Sequence, residues 1–128
     1  MRINGTELDR VNILDLEKKT VKIPNGINKI GYACFKDLTN LEYLLLPIGI
    51  EKIEMCAFEN CTWLKKINIP DTVFYIGTNA FAGCIRLEEI TLSKLIQLDK
   101  RIFQACNPKC KVYYREHTYL VEDILEYY

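Results

Sequence analysis

The 128 residues suit one domain with one buried core, and the mix of 49% apolar and 27% charged residues is ordinary for a globular protein. Seventeen basic residues balance seventeen acidic ones, which argues against a nucleic-acid binder driven by phosphate neutralisation, although a local patch stays compatible with that balance. No apolar run approaches the roughly 18 residues needed to span a bilayer.

In chain order, Met1–Glu7 carries no apolar segment of signal-peptide length. The resulting expectation is a cytoplasmic protein; the alternative is a secreted or cell-surface protein whose export signal is not in this sequence. Asn4-Gly5 is a good hairpin turn, and Leu14, Leu16, Val21 and Ile23 read as strand, so residues 1–19 are predicted to form an N-terminal cap. Over residues 20–112 the chain repeats itself. Phe35, Phe58 and Phe81 are 23 residues apart, and Phe103 follows after 22. Pro24, Pro47 and Pro70 keep the same interval, with Ser93 at the next station. Ile30, Ile53 and Ile76 are in register too, followed by Leu98 one residue early, and Leu41, Leu64 and Leu87 form a further column.

Within one unit, Leu64 to Cys84, the first part alternates apolar and polar residues, which predicts a short strand with one buried face. Pro70 ends it, because proline cannot donate to a further ladder bond. Val73 and Ile76 point inward at a second corner, and Ala80, Phe81 and Cys84 make a third through a predicted turn of helix. A single unit cannot bury these corners, whereas stacked units can. In the last segment, residues 113–128, the spacing of Leu120, Val121, Ile124 and Leu125 predicts an amphipathic helix with Thr118 as N-cap and Asp123 and Glu126 facing water. It is read as a lid over the last rung; the alternative is a helix that docks on a partner.

These residues resemble the BspA-type leucine-rich repeat, whose pattern is Leu-x-x-Ile-x-Ile-Pro-x-x-Val-x-x-Ile-Gly-x-x-Ala-Phe-x-x-Cys. Leu41 to Cys61 and Leu64 to Cys84 match it closely. Val21 to Leu38 is a partial turn without the cysteine, and Leu87 to Cys106 has lost the proline and one residue. The resemblance implies an α/β fold: a short right-handed leucine-rich-repeat solenoid with parallel strands on the concave face and short turns of helix on the convex side. A strand or hairpin cap at the N-terminus and a helical cap at the C-terminus complete it.

Residues that could carry chemistry have plainer readings. Cys61, Cys84 and Cys106 share one column and suit buried, reduced sites, since a free cysteine behaves as a small hydrophobe. Stacked neighbours stand about 4.8 Å apart, beyond the Cβ separation of about 3.5–4.5 Å that a disulfide wants. Cys34 and Cys56 flank the phenylalanine column and suit core or half-buried sites. Cys106, Cys110 and His117 lack paired-ligand zinc spacing and a fourth ligand, so no metal is expected; a local Cys106–Cys110 disulfide in an oxidising compartment is the other reading. With one histidine, no glycine-rich phosphate loop, no nucleophile elbow and no clustered carboxylate pair, neither an enzyme nor a cofactor is expected.

Strand alternation separates the two faces. Val21/Ile23, Leu44/Leu46, Ile67/Ile69, Ile90/Leu92 and Val112/Tyr114 are predicted to point inward. Thr20/Lys22, Tyr43/Leu45, Lys66/Asn68, Glu89/Thr91 and Lys111/Tyr113 then form an outward grid, with Asn25, Ile48, Asp71 and Lys94 just past the strands. Tyr43, Leu45 and Ile48 are apolar where neighbouring rungs carry Lys66, Asn68 and Asp71, the pattern of a protein-binding hot spot. The candidate protein-binding residues are therefore Tyr43, Leu45, Ile48, Lys66, Asn68, Glu89, Thr91, Lys111 and Tyr113. The plain alternative is that Leu45 packs against a cap or a second copy. Lys22, Lys66 and Lys111 invite a nucleic-acid reading, but Glu89 interrupts the row and no aromatics are interleaved for stacking.

The leading expectation is a non-enzymatic intracellular protein-interaction module, an adaptor or a small inhibitor, including a phage or mobile-element inhibitor of a host enzyme. The alternative, implied by the resemblance, is a fragment or relative of exported bacterial surface proteins that adhere to host proteins. A third reading is a homo-oligomer formed through an uncapped edge or through Tyr119, Tyr127 and Tyr128.

Overall fold

The computed structural model describes residues 2–9 and 18–128; the strand expected at Leu14 and Leu16 lies outside the described residues. The chain coils so that its turns build two ladders of strands, three successive turns contributing to both. One is a six-stranded sheet ordered β11-β10-β9-β7-β5-β3, from β3 (Thr20–Lys22), β5 (Tyr43–Leu45), β7 (Lys66–Asn68), β9 (Glu89–Thr91), β10 (Lys111–Tyr114) and β11 (His117–Leu120). The other is five-stranded, ordered β1-β2-β4-β6-β8, from β1 (Arg2–Asn4), β2 (Glu7–Asp9), β4 (Lys29–Ile30), β6 (Lys52–Ile53) and β8 (Tyr75–Ile76). Within each ladder successive rungs run parallel, and the period of the sequence becomes the register: Val21↔Leu44, Ile67↔Ile90 and Ile30↔Ile53.

Antiparallel hairpins close both ladders. At the front, β1 and β2 turn through Gly5-Thr6, with Asn4 paired to Glu7, so the turn sits one residue later than Asn4-Gly5; Gly5 takes the positive φ (65°) that such a tight hairpin requires. At the back, β10 and β11 turn through Arg115 and Glu116, both left-handed (φ 50° and 67°). The helix α1 (Val121–Tyr127) follows directly and buries Val121 and Ile124 in the core. Thr118 does not cap it. Thr118 lies in β11, and the helix starts from extended Leu120 without a side-chain cap; its first backbone donors are Val121 and Glu122, bonded to the Cys110 and Pro108 carbonyls. Asp123 and Glu126 face water as the amphipathic spacing predicts.

The inward columns stack into one core. Phe35, Phe58, Phe81 and Phe103 are fully buried, and the first three lie parallel, with ring centroids 5.2 and 5.1 Å apart. Rung spacing sets that separation, which gives the offset parallel geometry that aromatic quadrupoles favour. The cysteine column is buried and reduced. Cys61, Cys84 and Cys106 each donate a thiol hydrogen bond to the carbonyl of the phenylalanine one rung back, Phe35, Phe58 and Phe81, at 3.1, 3.3 and 2.8 Å. A hydrogen bond with Cys106 and burial hold the Cys84 thiol well above its ordinary pKa, and burial pushes Cys110 up to about 12. Half-buried Cys56 is pushed up to about 11, chiefly by desolvation and then by Glu59. Ser93, at the proline station of its rung, is fully buried; its hydroxyl donates to the Asp71 carbonyl at 3.3 Å and accepts from the Leu95 N–H at 3.1 Å.

The third corner departs from the predicted turn of helix. Two columns of residues there are left-handed: Ala33, Cys56 and Asn79 (φ 52°, 60°, 61°), then Asp37, Asn60, Gly83 and Ala105 (φ 66°, 60°, 73°, 56°). A left-handed residue cannot continue a right-handed helix, so the corner becomes a series of turns, such as Ala80 N–H to Gly77 O and Cys84 N–H to Phe81 O. In exchange, N–H groups at this corner turn along the stack: Phe58 donates to Ala80 O and Asn60 to Ala82 O, both at 2.7 Å. The fourth rung, one residue shorter between its phenylalanine and the preceding one, forms a 3-10 turn at Lys100–Ile102 beside the end of the five-stranded sheet, capped by Asp99.

Candidate protein-binding face

The six-stranded sheet carries out the alternation read from the sequence. Its inward residues are buried apart from half-buried Leu46; its outward residues are exposed apart from half-buried Glu89 and Tyr113. Tyr43, Leu45 and Ile48 are 41%, 55% and 87% exposed, so the apolar spot faces water, and Ile48 almost entirely.

An open depression of about 670 Å³ lies over this spot, lined by Tyr43, Leu45, Ile48, Lys66, Asn68, Asp71, Thr72, Glu89 and Thr91 among others. Seven of the nine sequence-predicted residues therefore meet there. Lys111 and Tyr113 do not: Lys111 is exposed on β10, and Tyr113 borders a second depression of about 370 Å³ with Asp71, Lys94, Arg115 and His117. The first depression forms where the ladder is least regular. The flanking pairs β3/β5 and β7/β9 each register at three positions, whereas β5/β7 registers at Tyr43↔Lys66 alone. Beyond Tyr43 these two strands pair no further, and Leu45 and Ile48 lie past that point.

Charge around the spot is largely paired. The Lys66 ammonium lies 3.7 Å from the Glu89 carboxylate, which also accepts a long hydrogen bond from the Tyr113 hydroxyl at 3.5 Å. Lys65 sits 3.2 Å from Glu42 and 5.9 Å from the Tyr43 ring centre; the Glu42 hydrogen bond, with Tyr43 and Glu42 charge behind it, raises the Lys65 pKa. The row of lysines considered for nucleic acid is thus interrupted in space as in sequence, since Lys66 is neutralised by Glu89 on the adjacent strand. Among the described residues, no group of three or more His, Cys, Asp and Glu side chains could hold a metal ion. No helix among them is long and apolar enough to cross a membrane.

Thr72, Arg115, Glu116, His117 and Thr118 line these depressions and were not on the predicted grid. Thr72 bridges two rungs, donating to Ile50 O at 2.6 Å and accepting from Gly49 N–H at 3.4 Å. The signal for the other four was the hairpin between the strands that carry Tyr113, Tyr114 and Tyr119, which a helix-cap reading of Thr118 obscured.

Two solved structures share the fold. A leucine rich cell surface protein from Faecalibacterium prausnitzii A2-165 is 29% identical, with a TM-score of 0.57 over 80% of this chain and 23% of that one. A leucine-rich repeat protein from Bacteroides ovatus ATCC 8483 is 26% identical, with a TM-score of 0.51 over 73% of this chain and 30% of that one. The chain thus spans under a third of the length of either. No curated protein gives a significant match. Residues 15–126 match the family described as BspA type leucine rich repeat region (6 copies), and the chain belongs to that family.

Proposed function

We propose that the chain is a binding module for another protein and engages it through the outward face of the six-stranded sheet, centred on Tyr43, Leu45 and Ile48. The observation that carries this reading is the apolar spot, highly exposed, set over an open depression and rimmed by charged side chains. Such a site desolvates cheaply at its centre and keeps its polar rim wet, which is the anatomy of a hot spot.

Similarity to a bacterial cell surface protein supports a module displayed on the cell surface ahead of the intracellular adaptor or inhibitor, and adhesion to host proteins is the use we propose for it there. Six free cysteines favour the intracellular alternative, because exposed thiols oxidise outside the cell. Five of the six are buried, however, so the chain is compatible with an oxidising environment.

Affinity capture with the intact chain against its Tyr43→Ala/Leu45→Ser variant tests the face. Truncated hot-spot residues cost about 2 kcal/mol or more each, so the variant should lose the partner at least roughly 30-fold; undiminished capture by a folded variant places the binding face elsewhere. Surface biotinylation of intact native cells separates the two locations, with labelling expected for the displayed module and none for the intracellular one.

A further inference from the structure

We infer that this face is a seat for an α-helix laid along the stack of rungs, reading apolar, then basic, then acidic along one of its faces. The inference rests on the proposal that the face binds protein and adds the partner's shape and charge order.

The evidence is the column just past the strands. Ile48, Asp71 and Lys94 occupy the same station on three successive rungs, 23 residues apart. Asp71 borders both depressions, so the two form one strip from Leu45 and Ile48 to the hairpin tip at Arg115. Several carboxylates are matched in place: Glu42 with Lys65, Glu54 with Lys29, Glu59 with Lys36, Glu122 with Lys109 and, within the first depression, Glu89 with Lys66. The Asp71 carboxylate on this strip is not. Asp71 and Lys94 are both exposed and adjacent in the column, yet neither charged group has a hydrogen bond or ion pair among the described residues. Arg115 bonds the Lys94 and Ile96 carbonyls at 3.1 and 3.4 Å and lies over the Tyr114 ring, with exposed Glu116 next to it on the rim of the same depression. Its left-handed backbone, shared with Glu116, is held by those carbonyl contacts, which fix the cation at the end of the strip. From Ile48 onward the column therefore presents an apolar group, an available anion and an available cation, with Arg115 and Glu116 of opposite charge at the hairpin tip, and the complement of the column is apolar, basic, acidic.

Spacing selects the helix. Rungs repeat at about 4.8 Å, so three stations span about 9.6 Å. Residues i, i+3 or i+4, and i+7 of a helix rise about 4.5–6 and about 10.5 Å, within about 1 Å of each station. Same-face residues of an extended strand advance about 6.6–6.8 Å, and are about 4 Å out of step by the third station.

The test is a display selection against the full chain, using a monomeric three-helix scaffold with one helix face randomised, and in parallel an extended-loop scaffold of equal diversity. Clones that lose binding to an Ile48→Asp variant are retained. The expected result is enrichment of helical clones with an apolar residue at i, Lys or Arg at i+3 or i+4, and Asp or Glu at i+7. On the Asp71→Lys/Lys94→Asp chain these clones should weaken at least about 10-fold, and a fresh selection should return the inverted charge order, since like charges brought together are strongly disfavoured. Retained clones that are extended, or helical without a charge order that inverts, overturn the helix seat while leaving the protein-binding face intact. If no clone is sensitive to Ile48→Asp, the seat falls, and the capture experiment above decides the face independently.

Discussion

Phe58→Ala puts the stacked core to its most direct test. Phe58 is fully buried and has a parallel ring on each side, Phe35 at 5.2 Å and Phe81 at 5.1 Å, so its removal empties the middle of a three-ring column. The Phe58 N–H and C=O also hold the rungs together, donating to Ala80 O at 2.7 Å and accepting the Cys84 thiol at 3.3 Å. Those backbone bonds prevent the turn from collapsing into the void, which places the cost in the upper part of the usual range for this truncation, about 3–5 kcal/mol. Against a total stability of about 5–15 kcal/mol, that is about a quarter or more of what holds the chain folded. Phe74 is the internal control: the same residue type, 48% exposed, with Lys52 over its ring at 5.7 Å. Phe74→Ala should cost under about 1 kcal/mol. Urea titration followed by circular dichroism reads both. The midpoint should fall sharply for Phe58→Ala at an unchanged slope, with a drop in melting temperature of roughly 10–20 °C, and should move little for Phe74→Ala. Equal shifts for the two variants would refute the stacked-core reasoning.

Three further outcomes follow from the packing and the ionisable groups. A Cβ at Gly77 would stand 2.5 Å from the Met55 nitrogen and 2.8 Å from its Cα, backbone atoms of the rung before, so Gly77→Ala should destabilise by about 1–3 kcal/mol, read by the same titration. Because burial raises the thiol pKa values of Cys56 and Cys110, and a hydrogen bond with Cys106 together with burial raises that of Cys84, brief alkylation at pH 8 should leave the native chain largely unmodified, with Cys56 the first to react, whereas the denatured chain should take up six labels by intact mass. Asp99 is held below its ordinary pKa chiefly by the Arg101 side-chain hydrogen bond, at 2.6 Å between Nη2 and Oδ2. A depressed carboxylate stabilises the fold above its unfolded pKa of about 3.9, and that contribution disappears as pH falls through the folded value. Asp99→Asn should therefore cost at most about 1 kcal/mol near neutrality, given the exposure of the pair, and the gap to wild type should close in acid; a gap that persists at pH 2 argues against the ion pair.

Much of this architecture was legible before any coordinates. The 23-residue period carries over as register, because parallel rungs repeat their neighbours residue for residue: Val21 over Leu44, Ile67 over Ile90. Alternation within Tyr43–Leu45 and Lys66–Asn68 assigns the faces, because side chains on a strand alternate by geometry alone. The thiol column reads as core because Cys61 and Cys84 repeat in step with the fully buried phenylalanines.

What the tertiary structure alone decided depends on contacts between rungs and on backbone signs that side-chain pattern does not report. The left-handed residues at the third corner include Ala33, Cys56 and Ala105, whose side chains announce no such preference; Ala33 and Cys56 are held there by N–H bonds to the next turn. Thr118 looked like a cap because a helix does follow, yet pairing with Tyr113 draws it into β11 and brings the Arg115 tip beside Lys94. The short pairing between β5 and β7, beside which Leu45 and Ile48 line an open depression, is a property of two rungs together. A sequence specifies local periodicity residue by residue, whereas the separation of two stacked turns follows from everything packed between them.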